Sequence, residues 1–175
     1  MVTFKNTGVL VLILICSVIT GCGYTQEVTL PNNIKTVAIT TFEDKIPPSE
    51  RYAYYPGLEI ELTNNIIDQF IFDGNLKVVD EKDADAVLKG DVVAYKQEGL
   101  RYDNLESIEE YRLYMIVNFE LVDRRTGAAI LKENGFSGRS EFFVNPNSNA
   151  SRKKGANSAV VDTARNIVDR IVEEW

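Results

Sequence analysis

The sequence predicts a two-layer α+β sandwich, in which two amphipathic helices cover one face of a mainly antiparallel sheet of four to five strands. Two segments repeat apolar residues at the spacing of a helix face, and several others alternate apolar and polar residues as half-buried strands do. Their order along the chain is β-α-β-β-β-β-α. Elements of these two kinds bury their apolar faces by packing helices against a sheet.

The first residues have the features of a secretory signal peptide. Lys5 supplies a positive charge, residues 8–19 form an apolar run, and small residues precede a cysteine. The sequence Ile19-Thr20-Gly21-Cys22 is typical of a bacterial lipobox, which predicts cleavage of residues 1–21 and acylation of Cys22. The alternative is an uncleaved membrane anchor, but the strongly apolar run is shorter than the roughly 20 residues of a spanning helix.

The acylated residue begins a tether, residues 22–33, which ends in the turn Pro31-Asn32-Asn33. Gly23 rather than aspartate follows the cysteine, and the best-known bacterial sorting rule then predicts delivery to the outer membrane. Residues 34–175 form a single domain that is long enough for its own core.

The composition excludes several classes of function. The chain has no histidine, and its two cysteines are Cys16, within the signal, and Cys22. No thiol or imidazole is therefore left for a disulfide, a nucleophilic pair or a typical zinc site. The formal net charge of −7 disfavours nucleic-acid binding, which depends on Lys and Arg. We expect no enzyme activity, no metal, and no cofactor besides the acyl groups on Cys22.

The domain begins with a β-branched strand at residues 34–42, followed by a helix from Gly57 to about Phe72 and a short strand at residues 76–79. If both strands belong to one sheet, the right-handed crossover makes them parallel. The turn Asp73-Gly74-Asn75 ends the helix, because glycine adopts the left-handed cap conformation. The apolar stripe of the helix consists of Leu58, Leu62, Ile66 and Phe70, widened by Ile60, Ile67 and Ile71.

The loop at residues 43–56 contains three tyrosines, Tyr52, Tyr54 and Tyr55. Such a cluster could stack on a sugar or fill a groove of a partner. We favour the simpler interpretation, in which the rings pack over the start of the helix, because isolated exposed aromatic residues are common.

Two further strands form a hairpin. The first covers residues 84–95 with small or apolar residues at its even positions, and Gly90 within it indicates a bulge or a close approach of backbone. A polar tip follows at residues 101–109. The second strand, residues 111–123, has the clearest apolar face, which consists of Tyr111, Leu113, Met115, Val117, Phe119 and Leu121.

The last part of the chain contains a tight turn at residues 123–127, an irregular strand at residues 128–143, a flexible loop at residues 144–154 and a final helix. The helix begins at about Ala156, or as early as Ser148. The basic cluster Arg152-Lys153-Lys154 opposes the helix dipole, which favours a use such as phosphate binding. The preferred interpretation of the cluster is a solvated loop.

Several short segments occur in a defined order after the lipobox. They are Cys22-Gly23-Tyr24, Leu30-Pro31, Ile34 to Ile39 with Phe42, Gly57-Leu58-Glu59 with Leu62-Thr63, Leu76 to Val79, Ala84 to Gly90, Glu110 to Leu113, and Asp123 to Gly127. In this order and spacing the sequence resembles the LPS-assembly lipoprotein family, LptE. The segment from Ala84 to Gly90 is also similar to lipoproteins of curli secretion and of penicillin-binding-protein activation.

The resemblance implies a non-enzymatic lipoprotein on the periplasmic side of the outer membrane. LptE-like proteins plug a large β-barrel, LptD, act as its assembly partner and help to insert lipopolysaccharide (LPS) into the outer leaflet. The chain is acidic, so contact with anionic LPS requires local cations. The candidates are Arg101, Arg112, Arg124, Arg125, Arg152, Lys153 and Lys154.

An alternative function remains open at this point. The protein could be a periplasm-facing adaptor or regulator of another envelope machine, such as a peptidoglycan synthase activator or a component of a secretion channel.

Overall fold

The computed structural model describes residues 33–53, 56–144 and 148–173. The predicted signal peptide, Cys22 and the tether before Asn33 lie outside these residues, as do Tyr54 and Tyr55. The described α-helices and strands are β1 (Thr36–Ile39), β2 (Glu43–Asp44), α1 (Leu58–Asp73), β3 (Lys77–Val78), β4 (Ala86–Tyr102), β5 (Ile108–Asp123), β6 (Ala129–Phe143) and α2 (Ser148–Glu173).

The sheet is mixed and has six strands. Its order is β3-β1-β4-β5-β6, with β2 also paired to β4. β1 pairs in parallel with both β3 and β4, and β2 pairs in parallel with β4. β4, β5 and β6 form a long antiparallel meander. The predicted parallel pairing of the two strands that flank α1 is therefore confirmed.

The α+β class with two helices is confirmed, but the predicted mainly antiparallel sheet of four to five strands is wrong in detail. β1 lies between β3 and β4 and is parallel to both neighbours. The two-residue strand β2, placed by the prediction in a loop, adds an element to the predicted order β-α-β-β-β-β-α. Strand order within a sheet depends on contacts between distant segments, which a local pattern does not contain.

Both helices pack side by side on one face of the sheet, and α2 lies mainly against β6. The core between the layers contains five consecutive inward residues of β5, from Leu113 to Leu121, as the alternation predicts. Each large apolar side chain buried there stabilises the fold by roughly 1.5–3 kcal/mol. The opposite face of β4, β5 and β6 remains partly exposed.

Gly90 is a site of close approach, one of the two predicted alternatives. A β-carbon at Gly90 would overlap the ring of Phe42, which is 1% exposed and fills the space above the strand. The bulge itself lies later, where the register shifts between Val92 and Ala94. This shift turns Tyr95 into the core, so the even-position face predicted for β4 ends at the bulge.

The apolar stripe of α1 is narrower than predicted. Leu58, Leu62, Ile66 and Phe70 are buried, but Ile60 is 53% and Ile71 65% exposed. The helix packs against β1, β3 and α2 over one face only, so the residues that widen the stripe reach the surface. Gly74, at φ 77°, ends the helix and donates its N–H to the Phe70 carbonyl, as the turn predicts.

Asp85 joins the start of β1 to the start of β4. Its Oδ2 accepts hydrogen bonds from the backbone N–H groups of Lys35 and Thr36, both at 3.0 Å, and from Thr36 Oγ1 at 2.8 Å. Its own N–H donates to Thr36 Oγ1 at 2.8 Å. These bonds favour the carboxylate, and the one from Lys35 contributes most to holding the pKa of Asp85 below its usual value.

The variant Asp85→Asn is expected to be less stable at pH 7 by roughly 1 kcal/mol, because it loses charge-assisted hydrogen bonds. The folded-state pKa is lowered, so this stabilisation is complete above the unfolded pKa of about 3.9 and is lost as the pH falls through the folded value. Urea unfolding at pH 7 and at about pH 3 measures the difference, which should shrink at the lower pH. Asp68→Asn, at an exposed position of α1, is the matched control. An equal loss at both values of pH would contradict the assignment.

Candidate functional site

The structure disperses the predicted cations over three regions. Arg101 lies near the end of β4, 3.4 Å from Glu110, with its guanidinium carbon 5.5 Å from the ring centroid of Phe143. Arg112, in β5, forms two hydrogen bonds to Glu141 at 2.9 and 2.7 Å, and these bonds raise its pKa further. Both arginines are therefore engaged by neighbouring side chains of the sheet.

Arg124 and Arg125 lie in the turn between β5 and β6, at the other end of the sheet. Asp123, which is 1% exposed, accepts hydrogen bonds there from the N–H groups of Arg125 and Thr126 at 2.8 and 3.2 Å. The Arg125 guanidinium is 3.7 Å from the second oxygen of Asp123. The Asp-Arg-Arg-Thr-Gly segment thus shapes a turn, closed by Gly127 at φ 71°.

The basic cluster Arg152-Lys153-Lys154 belongs to α2, which begins at Ser148. The preferred interpretation of this cluster as part of a solvated loop is wrong, and the earlier of the two predicted helix starts is confirmed. Lys153 and Lys154 are exposed, whereas Arg152 is half-buried and its Nε is buried without a hydrogen-bond partner. Contact with β6 stabilises the first part of α2 as a helix. Local propensity alone did not decide whether these residues are helical.

Two further cations, Arg139 and Arg165, join Lys153 and Lys154 around a groove of about 720 Å³ between β6 and the first half of α2. We call it the β6–α2 groove. It is lined by Arg139, Ser140, Ala150, Lys153, Lys154, Asn157, Ser158, Val161, Asp162 and Arg165. Sequence reasoning missed Arg139 and Arg165, and the only available signal for Arg165 was its helical spacing from Lys154 and Asp162.

The groove exists because α2 approaches β6 closely. A β-carbon at Gly138 would overlap the backbone and side chain of Thr163, which is fully buried in α2. Ser140 Oγ donates to the Gly155 carbonyl at 2.6 Å, and the Arg139 N–H donates to Asp162 Oδ2 at 2.9 Å. The helix thereby supplies a hydrogen-bond acceptor to a backbone N–H group on the outer edge of β6. Gly138, within the strand that was predicted to be irregular, is thus a point of close contact with the helix.

The electrostatics of the β6–α2 groove differ from those of the whole chain. Four cations face a single carboxylate, Asp162, on a protein of formal net charge −7. Asp162 is already engaged by the Arg139 N–H, the Arg165 guanidinium and the Asn166 amide at 3.2 Å. Lys153 and Lys154 form no ion pair with other described residues. The groove is therefore suited to an anionic group such as a phosphate.

The described part of the chain contains no group of three or more His, Cys, Asp or Glu side chains that could hold a metal ion. Within the same residues, no helix is long and apolar enough to cross a membrane.

Several proteins of known structure have a similar fold. A minor lipoprotein from Acinetobacter baumannii superimposes with a TM-score of 0.53 at 16% identity, over 81% of this chain and 94% of that one. Lipoprotein B from Nitrosomonas europaea gives 0.51 at 15%, over 86% and 89%. PelC from Paraburkholderia phytofirmans gives 0.50 at 15%, over 85% and 96%. At these identities the likeness shows the fold alone.

The family follows from the sequence itself. The model of the lipopolysaccharide-assembly family, LptE, matches residues 34–174, so the chain belongs to this family. The resemblance inferred from the sequence is thereby confirmed. No curated protein matches the sequence significantly.

The variant Gly138→Ala is expected to destabilise the protein by about 1–3 kcal/mol, because the added methyl group meets the backbone of Thr163 and must separate α2 from β6. Thermal or urea unfolding measures the loss. Ser137→Ala, on the neighbouring residue of the same strand, is the matched control and should change stability by less than about 0.5 kcal/mol. If Gly138→Ala were as stable as Ser137→Ala, the two layers would be able to move apart at no cost in free energy. That result would contradict the prediction.

Proposed function

We propose that this protein is an outer-membrane lipoprotein, acylated at Cys22 and held on the periplasmic side, that plugs an LptD-like β-barrel and assists the insertion of LPS into the outer leaflet. Membership of the lipopolysaccharide-assembly family supports this role. The role is non-enzymatic, and the acyl groups are its only covalent addition. A compact domain of two layers suits the polar lumen of a wide barrel.

The β6–α2 groove is the observation that supports the proposed contact with LPS. LPS is anionic, and a chain of net charge −7 repels it except where cations gather. Lys153 and Lys154 are exposed at the groove, and Arg139 and Arg165 extend the positive surface beside them. Val161, 42% exposed, adds an apolar surface to the same groove. The combination fits a phosphorylated glycolipid better than a neutral sugar.

Of the seven cations predicted to contact LPS, Lys153 and Lys154 are the ones that we retain. Arg152 adjoins them but does not line the groove. Arg101, Arg112 and Arg125 contact carboxylates of the fold. Arg124 lies in the turn between β5 and β6 and does not line the groove.

The double variant Lys153→Glu/Lys154→Glu is expected to weaken LPS binding by about tenfold or more, because it replaces attraction at the groove by repulsion. Binding of purified LPS to the acylated protein in detergent, measured with and without 0.5 M salt, tests this, and salt should weaken the wild-type interaction. Lys77→Glu/Lys96→Glu makes the same change in net charge at exposed positions outside the groove. If both pairs weaken binding equally, only net charge matters and the groove is not the site.

Gentle purification of the tagged protein from outer membranes is expected to bring with it a large β-barrel protein. Cys22→Ser should move the protein from the membrane fraction to the soluble periplasmic fraction, because it removes the attachment site of the acyl chains. In the wild-type protein, several acyl chains make release from the membrane negligible. Recovery of wild-type protein without any barrel would contradict the plug role. Depletion distinguishes the alternative adaptor: loss of surface LPS supports the proposal, whereas altered wall growth with normal LPS contradicts it.

A further inference from the structure

The end of the β4–β5 hairpin carries a group of exposed apolar side chains that the fold does not use. We call this group the tip patch. Leu105, at the turn, is 85% exposed, Tyr102 and Phe143 are each 57% exposed, and Val144 and Leu100 are 41% and 38% exposed. The end of β6 is joined to the hairpin by the hydrogen bond from the Val144 N–H to the Glu109 carbonyl, at 2.8 Å. Exposed apolar residues clustered at one end of a domain mark an interaction surface.

Carboxylates outnumber cations in the segment that carries most of the tip patch. Residues 98–110 contain five carboxylates and one cation, Arg101. That cation lies over the ring of Phe143 and 3.4 Å from Glu110, so it is already engaged. Glu106 and Glu109 are exposed beside the apolar residues. The charge is opposite to that of the β6–α2 groove, and an anionic lipid or LPS would be repelled here.

Hydrogen bonds to Asp103 brace the turn that presents Leu105. Asp103 Oδ1 accepts hydrogen bonds from the N–H groups of Leu105 and Ser107, both at 2.8 Å. The Glu106 N–H donates to the Asp103 carbonyl at 3.1 Å. A turn ordered before binding loses less entropy when a partner covers it.

The tip patch also lies far from the point at which the tether enters the domain. β1 begins beside Ala86, the first residue of β4, and the tip follows the last residue of that strand, Tyr102. Seventeen residues of strand span about 50–55 Å. A lipid at Cys22 therefore holds the opposite end of the domain, and does not by itself bring the tip patch to the membrane.

From the exposed apolar side chains, their acidic surroundings and their distance from the tether, we infer that the tip patch docks into a protein partner, at an apolar socket edged by Lys or Arg. The aromatic and aliphatic residues fill the socket, and the carboxylates around them select a basic rim. This inference rests on the proposed function in one respect: within a barrel, the tip would be the leading end of the plug.

Photo-crosslinking in living cells tests the inference. The photoreactive residue benzoylphenylalanine is placed at Leu105 or Phe143 of the full acylated chain, and at Phe72 as a control. Phe72 is 89% exposed on the last turn of α1, which leads into β3 at the tether end of the sheet. Each position is repeated in the background Glu106→Lys/Glu109→Lys, which reverses the charge beside the tip patch without altering Asp103, and every product is identified by mass spectrometry.

Crosslinks from Leu105 and Phe143 to one protein, reduced about tenfold or more by the charge reversal, are the expected result. The yield from Phe72 should not change. Products that contain only phospholipid or LPS, or yields that the charge reversal leaves unchanged, would overturn the inference. Capture of a barrel from Phe72 alone would overturn it while leaving the proposed function intact. Charge-dependent capture of a protein other than a barrel would support the docking surface and contradict the placement of the tip as the leading end of the plug.

Discussion

The close approach of α2 to β6 is the constraint on which the rest of the structure depends. It is possible because glycine occupies the points of contact. At Gly138 a β-carbon would overlap Thr163 of α2, and at Gly155 it would lie 2.7 Å from the ring of Phe142. Interiors pack at crystal-like density, so even one methyl group at such a point forces the layers apart. The β6–α2 groove depends on this contact, because its two walls belong to the two elements that meet there.

The protein has an uneven distribution of charge that its composition conceals. A net charge of −7 suggests a uniformly acidic surface, yet α2 and β6 gather four cations around one carboxylate, while five carboxylates and one cation occupy residues 98–110. Surfaces of opposite sign on one small domain attract different ligands and repel the wrong ones. Under the role proposed above, the groove would take the anionic glycolipid and the tip patch a basic protein surface, as two parts of one role in LPS assembly.

The local sequence pattern predicted most of the helices and strands, and its errors have a common cause. Alternation placed the buried residues of β5, and Gly74 ended α1 as expected. The stripe of α1 was predicted too wide, since helical periodicity shows that Ile60 and Ile71 are apolar but not which neighbours will cover them. The bulge likewise falls after Val92 rather than at Gly90, and it reverses the faces of β4. Exposure and register are set by packing partners that lie far away in sequence.

The sequence by itself determined the α+β class, the two helices and the family, because periodicity, turn residues and the order of short segments are local properties of the chain. Its prediction of an acylated Cys22 also comes from local pattern alone. Only the tertiary structure decided that the sheet is mixed and that Arg139 and Arg165 meet Lys153 and Lys154. It also showed that Arg112 and Arg125 contact carboxylates of the fold. These outcomes depend on which distant segments become neighbours. The burial of one shared hydrophobic core determines those neighbours for the whole chain together.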